Sequence, residues 1–262
     1  MNYVVREWLN LAVRWTHVFA AIMWVGQTWF FTWLDHAFHG EKQIWMVHSG
    51  GFYIVDKQKR PELLNQTLHW FKWEAAFTWL SGIVLLILVY YTGGIMVDES
   101  VHAMSNGMAV AISVGMIVIG WLIYDLLWIS PLAKNEMAGT IVSYILLAGA
   151  IFATTHLFSG RAAYMQIGAM LGTFMAFNVW VRIIPAQQQL IGAVKAGTEP
   201  DMRLADRAKQ RSKQNTFIVL PVVFIMISNH FPVATYGNQY NWIVLSVLVL
   251  IGWGVAAVLR TR

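Results

Sequence analysis

The sequence contains no cysteine. That excludes disulfides, thiolate metal sites, cysteine-held iron–sulfur clusters and a covalently attached c-type haem within these residues. Charge is scarce as well: 12% of the 262 residues are Asp, Glu, Lys or Arg, where a soluble domain carries about 25%. No internal repeat and no low-complexity tract is present. No cleavable signal peptide is expected, because the first apolar stretch begins near Trp8, is too long for a signal-peptide core and lacks a small-residue cleavage site. A net charge of +5 is compatible with nucleic-acid binding, but the basic residues cluster in loops beside apolar stretches, which is a membrane signature.

What the sequence has in abundance is hydrophobic residues, at 58%. Runs of roughly 20 apolar residues cross a bilayer core, and seven are legible, at approximately 8–34, 73–94, 107–130, 140–159, 162–184, 216–231 and 240–259. The reading is an all-α integral membrane protein, one membrane domain over residues 1–262. The sixth run is short and contains Pro221. Gly168 and Gly172 form a GxxxG in the fifth, read as simple close packing of helices. With the N-terminus on one side, that side holds Arg6 and Arg161, and Arg14 lies inside the first run. The other side holds fifteen Lys and Arg, including Lys59, Arg60 and Arg262. The positive-inside rule then places the N-terminus in the periplasm and the C-terminus in the cytoplasm, as for a bacterial inner-membrane protein. Two cytoplasmic segments are long, 35–72 and 185–215. The second reads as an amphipathic helix and a charged helix broken at "GTEPD", its charge run a solvated face.

Ionisable residues inside apolar runs mark candidate sites, because their desolvation is costly. His17 lies roughly 13 Å into the first run at 1.5 Å per residue, with Arg14 one turn above it. His156 lies near the outer end of the fourth run, followed by Arg161, and His230 closes the outer end of the sixth. Taken singly, each histidine is most simply a hydrogen-bond partner for a neighbouring helix. Taken together, His17 and His156 are two imidazoles from different helices at similar depth, the ligand set of a six-coordinate b-type haem. His230 is the reserve ligand, and Arg14 and Arg161 stand where propionates emerge.

At the inner face Asp35, His36, His39, His48, His69, Lys72, Glu74, Asp125, Asn178 and Arg182 gather. Several have plain structural readings: a helix end for Asp35, His36 and His39, a snorkelling cation for Lys72, and an ion pair of Glu74 or Asp125 with Arg182. His48 in "HSGGFY" and His69 in "HWFKWE" point further. Gly50 and Gly51 allow a close backbone approach, the aromatics suit a planar ring, and either histidine suits a second haem or a general base.

"RWTHVFAAIMWVGQTWFFTWLD", "VHSGGFYIVDK", "LHWFKWEAAFTWLSG", "THLFSGRAAYMQIGAMLGTFMAFNVWVRIIPAQQ" and "LPVVFIMISNHFP" together resemble the membrane domain of the bacterial membrane-bound urate oxidase family, over residues from about 5 to 260. The resemblance implies a membrane protein that oxidises urate and passes electrons to a cytochrome c domain fused beyond an eighth span. This sequence stops at Arg262 without a CxxCH, so the expected acceptor is a separate cytochrome c, a quinone or a larger multisubunit complex. Gln214 is a second departure, at a position where the family often carries histidine. Positions that match are His17, His48, His69, His156, Asn178 and His230. On this resemblance, urate binds against Lys72, Arg182, Asn178, Phe52 and Trp70. His48, His69 or Glu74 handles the proton, and 5-hydroxyisourate is the product. The other reading is a cytochrome b-like electron-transfer or accessory subunit of a respiratory complex.

Overall fold

The computed structural model describes residues 2–58 and 67–261; Lys59, Arg60 and Arg262, counted above in the charge asymmetry, lie outside the described residues. The first helix, α1 (Tyr3–Ala37), begins at an Asn2 cap whose side chain accepts from the Val4 N–H. A two-stranded antiparallel hairpin follows, β1 (Gln43–His48) and β2 (Gly51–Asp56), in register Trp45 to Ile54 and Val47 to Phe52. The all-α reading did not include it. Its turn needs left-handed backbone at Ser49 (φ 49°) and Gly50 (φ 76°), so the freedom of Gly50 serves a tight turn.

The helices after the hairpin are α2 (Trp73–Leu85), α3 (Asn106–Ile129), α4 (Glu136–Leu157), α5 (Gly160–Phe177), α6 (Ile184–Lys195), α7 (Met202–Ser228) and α8 (Asn241–Leu259). Ser105, Asn135, Ser159 and Asp201 cap α3, α4, α5 and α7, each side chain accepting a first-turn N–H. π-helical turns extend α2 through Leu86–Tyr91 and join α5 to α6 through Asn178–Ile183.

Among the described residues, five helical rods are long and apolar enough to cross a membrane: Trp73–Tyr91, Asn106–Ile129, Glu136–Leu157, Gly160–Lys195 and Asn241–Leu259. They make the chain a multi-pass membrane protein, and an all-α bundle describes its body. Their outer faces carry what lipid requires, for instance Ile119, Leu126 and Ile145, each more than half exposed. Segment 185–215 is not a loop. Its first part continues the fifth rod, and its second, from Met202, is the start of α7, which runs unbroken through Pro221. The break falls between Lys195 and Met202, where the "GTEPD" reading put it.

α5 is the hub. Nearly every side chain from Ala162 to Ala176 is buried, against α2, α3, α4 and α7. Gly168 lets α7 approach, since a Cβ there would lie 2.9 Å from Ile225 Cγ2, whereas Gly172 faces open space. Only half of the GxxxG is therefore a packing contact. Buried polar groups in the hub are paired: Gln166 donates to Ser113 O at 2.9 Å and accepts from Ser113 Oγ at 2.5 Å.

Candidate functional site

The π-turn at Asn178–Ile183 shifts the helical register by one residue and aims Asn178 and Arg182 at α3 and α7. Asn178 donates to Tyr124 Oη at 2.8 Å and to Asn215 Oδ1 at 2.9 Å, and it accepts from Arg211 Nη1 at 3.3 Å. Asp125 takes two guanidiniums. Arg182 binds it in bidentate fashion, with Nε to Oδ1 at 2.8 Å, and Arg211 reaches Oδ1 at 2.8 Å. The Arg211 side chain is 3% exposed, so this cation is not part of a solvated charge run; the rest of the run, Arg203, Arg207 and Lys209, is exposed. Arg211 also lies over the Tyr124 ring at 5.2 Å. Tyr124 Oη donates to Gln214 Oε1 at 2.5 Å. Two arginines share one carboxylate, Arg211 buried and Arg182 more than a third exposed, and the cluster is held by hydrogen bonds on nearly every atom. The exception is Gln214 Nε2, buried without a partner.

A second cluster stands at the start of α2. Lys72 Nζ lies over three indole rings, those of Trp70, Trp73 and Trp180, at 5.7, 5.3 and 5.4 Å. Such a cage stabilises a partly desolvated cation. Beside it are two buried atoms with no hydrogen-bond partner, an acceptor, Glu74 Oε2, and a donor, Trp180 Nε1. Orphaned polar atoms are rare in folded proteins and call for an explanation. His69 is exposed, as are His48 and Phe52 on the hairpin. Phe71 meets Phe31 of α1 at 5.0 Å, and the hairpin lines a hollow with Phe30 and Trp33, so these groups share one end of the molecule. Arg182 pairs with Asp125, and among the described residues no ion pair joins it to Glu74.

Nearer the middle of α1, His17 Nδ1 lies 2.9 Å from Thr78 O and 3.1 Å from Ser81 Oγ of α2. His156 Nδ1 lies 2.7 Å from Phe152 O, one turn back in α4. An imidazole that donates from Nδ1 to a carbonyl carries its lone pair on Nε2, the form an iron ligand takes. Arg161 lies over the Tyr90 ring at 5.9 Å and donates to Asn229 Oδ1 at 2.8 Å. Arg14 stands in Coulombic reach of both His17 and Tyr90. His17, Arg14, Arg161 and the end of α7 thus share a neighbourhood. Among the described residues no ion pair reaches either arginine.

His156 points elsewhere. It is exposed, stacked on Phe152 at 4.1 Å, and Phe152 leans on Trp242 of α8. α1 packs along α2 and touches α7, while α4 packs on α5 and α8. This arrangement does not bring His17 and His156 together. The donor chemistry of His17 and the charges of Arg14 and Arg161 suit a haem, and His156 stands apart from them. His230 directly follows Asn229, the partner of Arg161.

A family model described as urate oxidase N-terminal matches residues 3–262. The chain belongs to the urate oxidase N-terminal family. No curated protein and no solved structure matches it.

Within a urate oxidase N-terminal fold, the residues that reading the sequence passed over are Trp180, Tyr124, Arg211 and Asn215. Tyr124 and Trp180 looked like ordinary apolar-run aromatics, and Arg211 sat in a stretch of exposed charge. A usable signal existed: in α7 the spacing Arg211, Asn215, Ile218, Val219 puts polar and apolar residues on one helical stripe, so the stripe faces protein.

Proposed function

We propose that the chain is a haem b-containing redox protein of the bacterial inner membrane that oxidises urate to 5-hydroxyisourate. In this reading the membrane is crossed seven times, with α1 and α7 joining the five apolar rods, the N-terminus periplasmic and the C-terminus cytoplasmic. The family match over residues 3–262 carries the proposal.

Urate, a planar anion, enters at the inner end, where Lys72 attracts its charge and Trp70, Trp73 and Trp180 offer flat apolar walls. The orphaned Glu74 Oε2 suits a general base, taking a ring N–H proton as two electrons leave. His69 and His48, at the exposed rim with Phe52, pass protons to water. Arg182 contributes its field from its seat on Asp125. Asn178, whose amide hydrogens are both taken by protein groups, acts as a positioning residue for Tyr124 and Arg211. Urate and one water give 5-hydroxyisourate, two protons and two electrons. Haem b, when bound, supplies one-electron transfer; His17 with Arg14 and Arg161 would hold it, and His230 is the better-placed second ligand. The acceptor is a separate cytochrome c or a quinone.

The test is anaerobic addition of urate to the purified chain in lipid nanodiscs, following 5-hydroxyisourate and the spectrum of reduced haem together. Both are expected to rise. Haem-replete protein that leaves urate intact with a redox dye present contradicts the proposal.

One observation favours a second reading, an electron-transfer subunit of a larger complex. The outer face of the hairpin presents Trp45, Val47, Phe52 and Ile54, each more than half exposed. A stable partner carrying flavin or haem c on purification, with no urate turnover by the isolated chain, is the outcome this reading expects.

A further inference from the structure

Away from the Lys72 cluster, a cavity of about 330 Å³ lies between α3, α4, α7 and α8. Its walls are flat and apolar: Trp128, Phe217 and Trp253, with Met137 at the rim, 71% exposed in the first turn of the α4 rod. Its polar lining includes Tyr124 and Gln214, with Thr140, Ser143 and Gln210. The Tyr124 hydroxyl hydrogen is committed to Gln214 Oε1 at 2.5 Å. Asn178 and Arg211 hold Tyr124 from behind. Gln214 is therefore fixed with its amide N–H₂ unpartnered, buried at a cavity wall. A buried donor without an acceptor is costly. A ligand that supplies a carbonyl removes that penalty, and one that is also flat and apolar fills the aromatic walls. The rim pair, Lys213 Nζ to Glu136 Oε2 at 2.6 Å, sets cations and anions at the inner membrane edge, beside the mouth.

We propose that this cavity is a quinone site, in which Gln214 Nε2 donates to one ring carbonyl, Trp128, Phe217 and Trp253 flank the ring, and an isoprenoid tail leaves past Met137 into lipid. Urate also carries carbonyls, but it is an anion, and these walls contain no unpaired cation for it among the described residues. The inference rests on the urate-oxidising reading for its electron source: urate, water and quinone give 5-hydroxyisourate and quinol. The quinone takes the two electrons and two protons that urate and water release.

An azido-quinone photoprobe on the purified chain in nanodiscs, without urate, tests the site. The label is expected in the peptides carrying Trp128, Met137, Phe217 or Trp253, and to be displaced by ubiquinone-1 but not by urate. Removing one donor in Gln214→Leu should weaken ubiquinone-1 about tenfold. Gln214→Glu, which keeps the shape and an acceptor for Tyr124 but has no N–H₂, should weaken it at least as much. A label elsewhere, a label displaced by urate, or unchanged affinity in both variants overturns the inference. Urate oxidation with a soluble dye as acceptor is measured separately, so loss of the quinone site and failure of the urate reading give different results.

Discussion

Arg211 has 3% of its side chain exposed and Asp125 has 11%, and neither charge is tolerable there alone. Asp125→Leu leaves the Arg211 guanidinium buried without its counter-ion and should cost about 3–5 kcal/mol, read as a fall in the thermal midpoint in detergent. Adding Arg211→Met should restore most of that loss, because Arg182 can swing toward water once Asp125 is gone. His17 offers a second residue-scale test. A Cβ at Gly82 would lie 3.1 Å from His17 Cε1 and 3.5 Å from Nδ1, so Gly82→Ala should tilt the imidazole off the Thr78 carbonyl. In the haem reading, the haem content or its absorbance shifts in this variant, while Gly149→Ala, which meets nothing within 4 Å, leaves both unchanged.

At the scale of elements, the five apolar rods and the break before α7 were legible because the length of an apolar run and the "GTEPD" stretch are local signals. The sequence reading missed the hairpin. Trp45, Val47, Phe52 and Ile54 alternate as a strand should, but they sit in a segment whose histidines and glycines drew attention to chemistry first. It also divided α7 between segment 185–215 and a run starting at 216, although the helix is continuous through Pro221, where α8 comes so close that a Cβ at Gly252 would meet Pro221 Cδ at 2.9 Å. Tight joints of this kind depend on tertiary neighbours and leave no mark in the local pattern. Gly160 is another such joint: a Cβ would lie 2.4 Å from Tyr236 O, a backbone atom. Gly160→Ala should therefore destabilise by about 1–3 kcal/mol in the same melting assay. The start of α7 is also pH-sensitive. The Arg203 side chain and backbone N–H hold the Asp201 carboxyl below the usual carboxylate range. Its capping contribution is then complete above the unfolded value of about 3.9 and lost as pH falls through the lower folded value. Amide exchange in the first turn of α7 should accelerate only below about pH 4, and Asp201→Ala should show that faster exchange at neutral pH.

For the molecule as a whole, the family was legible because several long motifs keep their order along the chain, and the match over residues 3–262 agrees. The pairing of ligands across helices was not legible. Depth along a helix follows from residue number, but the direction a side chain faces depends on which helix packs beside it. His17 turns onto Thr78 and Ser81 of α2, and His156 onto Phe152 of its own helix, for that reason. The same logic explains why the described residues hold two sites of different character: a caged cation with an orphaned carboxylate oxygen at α2, and an aromatic cavity with an orphaned amide at α7. The claim that joins them is that urate gives up electrons at the α2 end. Membranes carrying the chain, supplied with urate and a redox dye, measure it directly. The account predicts dye-dependent loss of urate, with 5-hydroxyisourate formed in equal amount and turnover falling at least tenfold in Glu74→Gln. Urate that persists beside folded, haem-bearing protein, or turnover untouched in Glu74→Gln and Lys72→Ala alike, contradicts it.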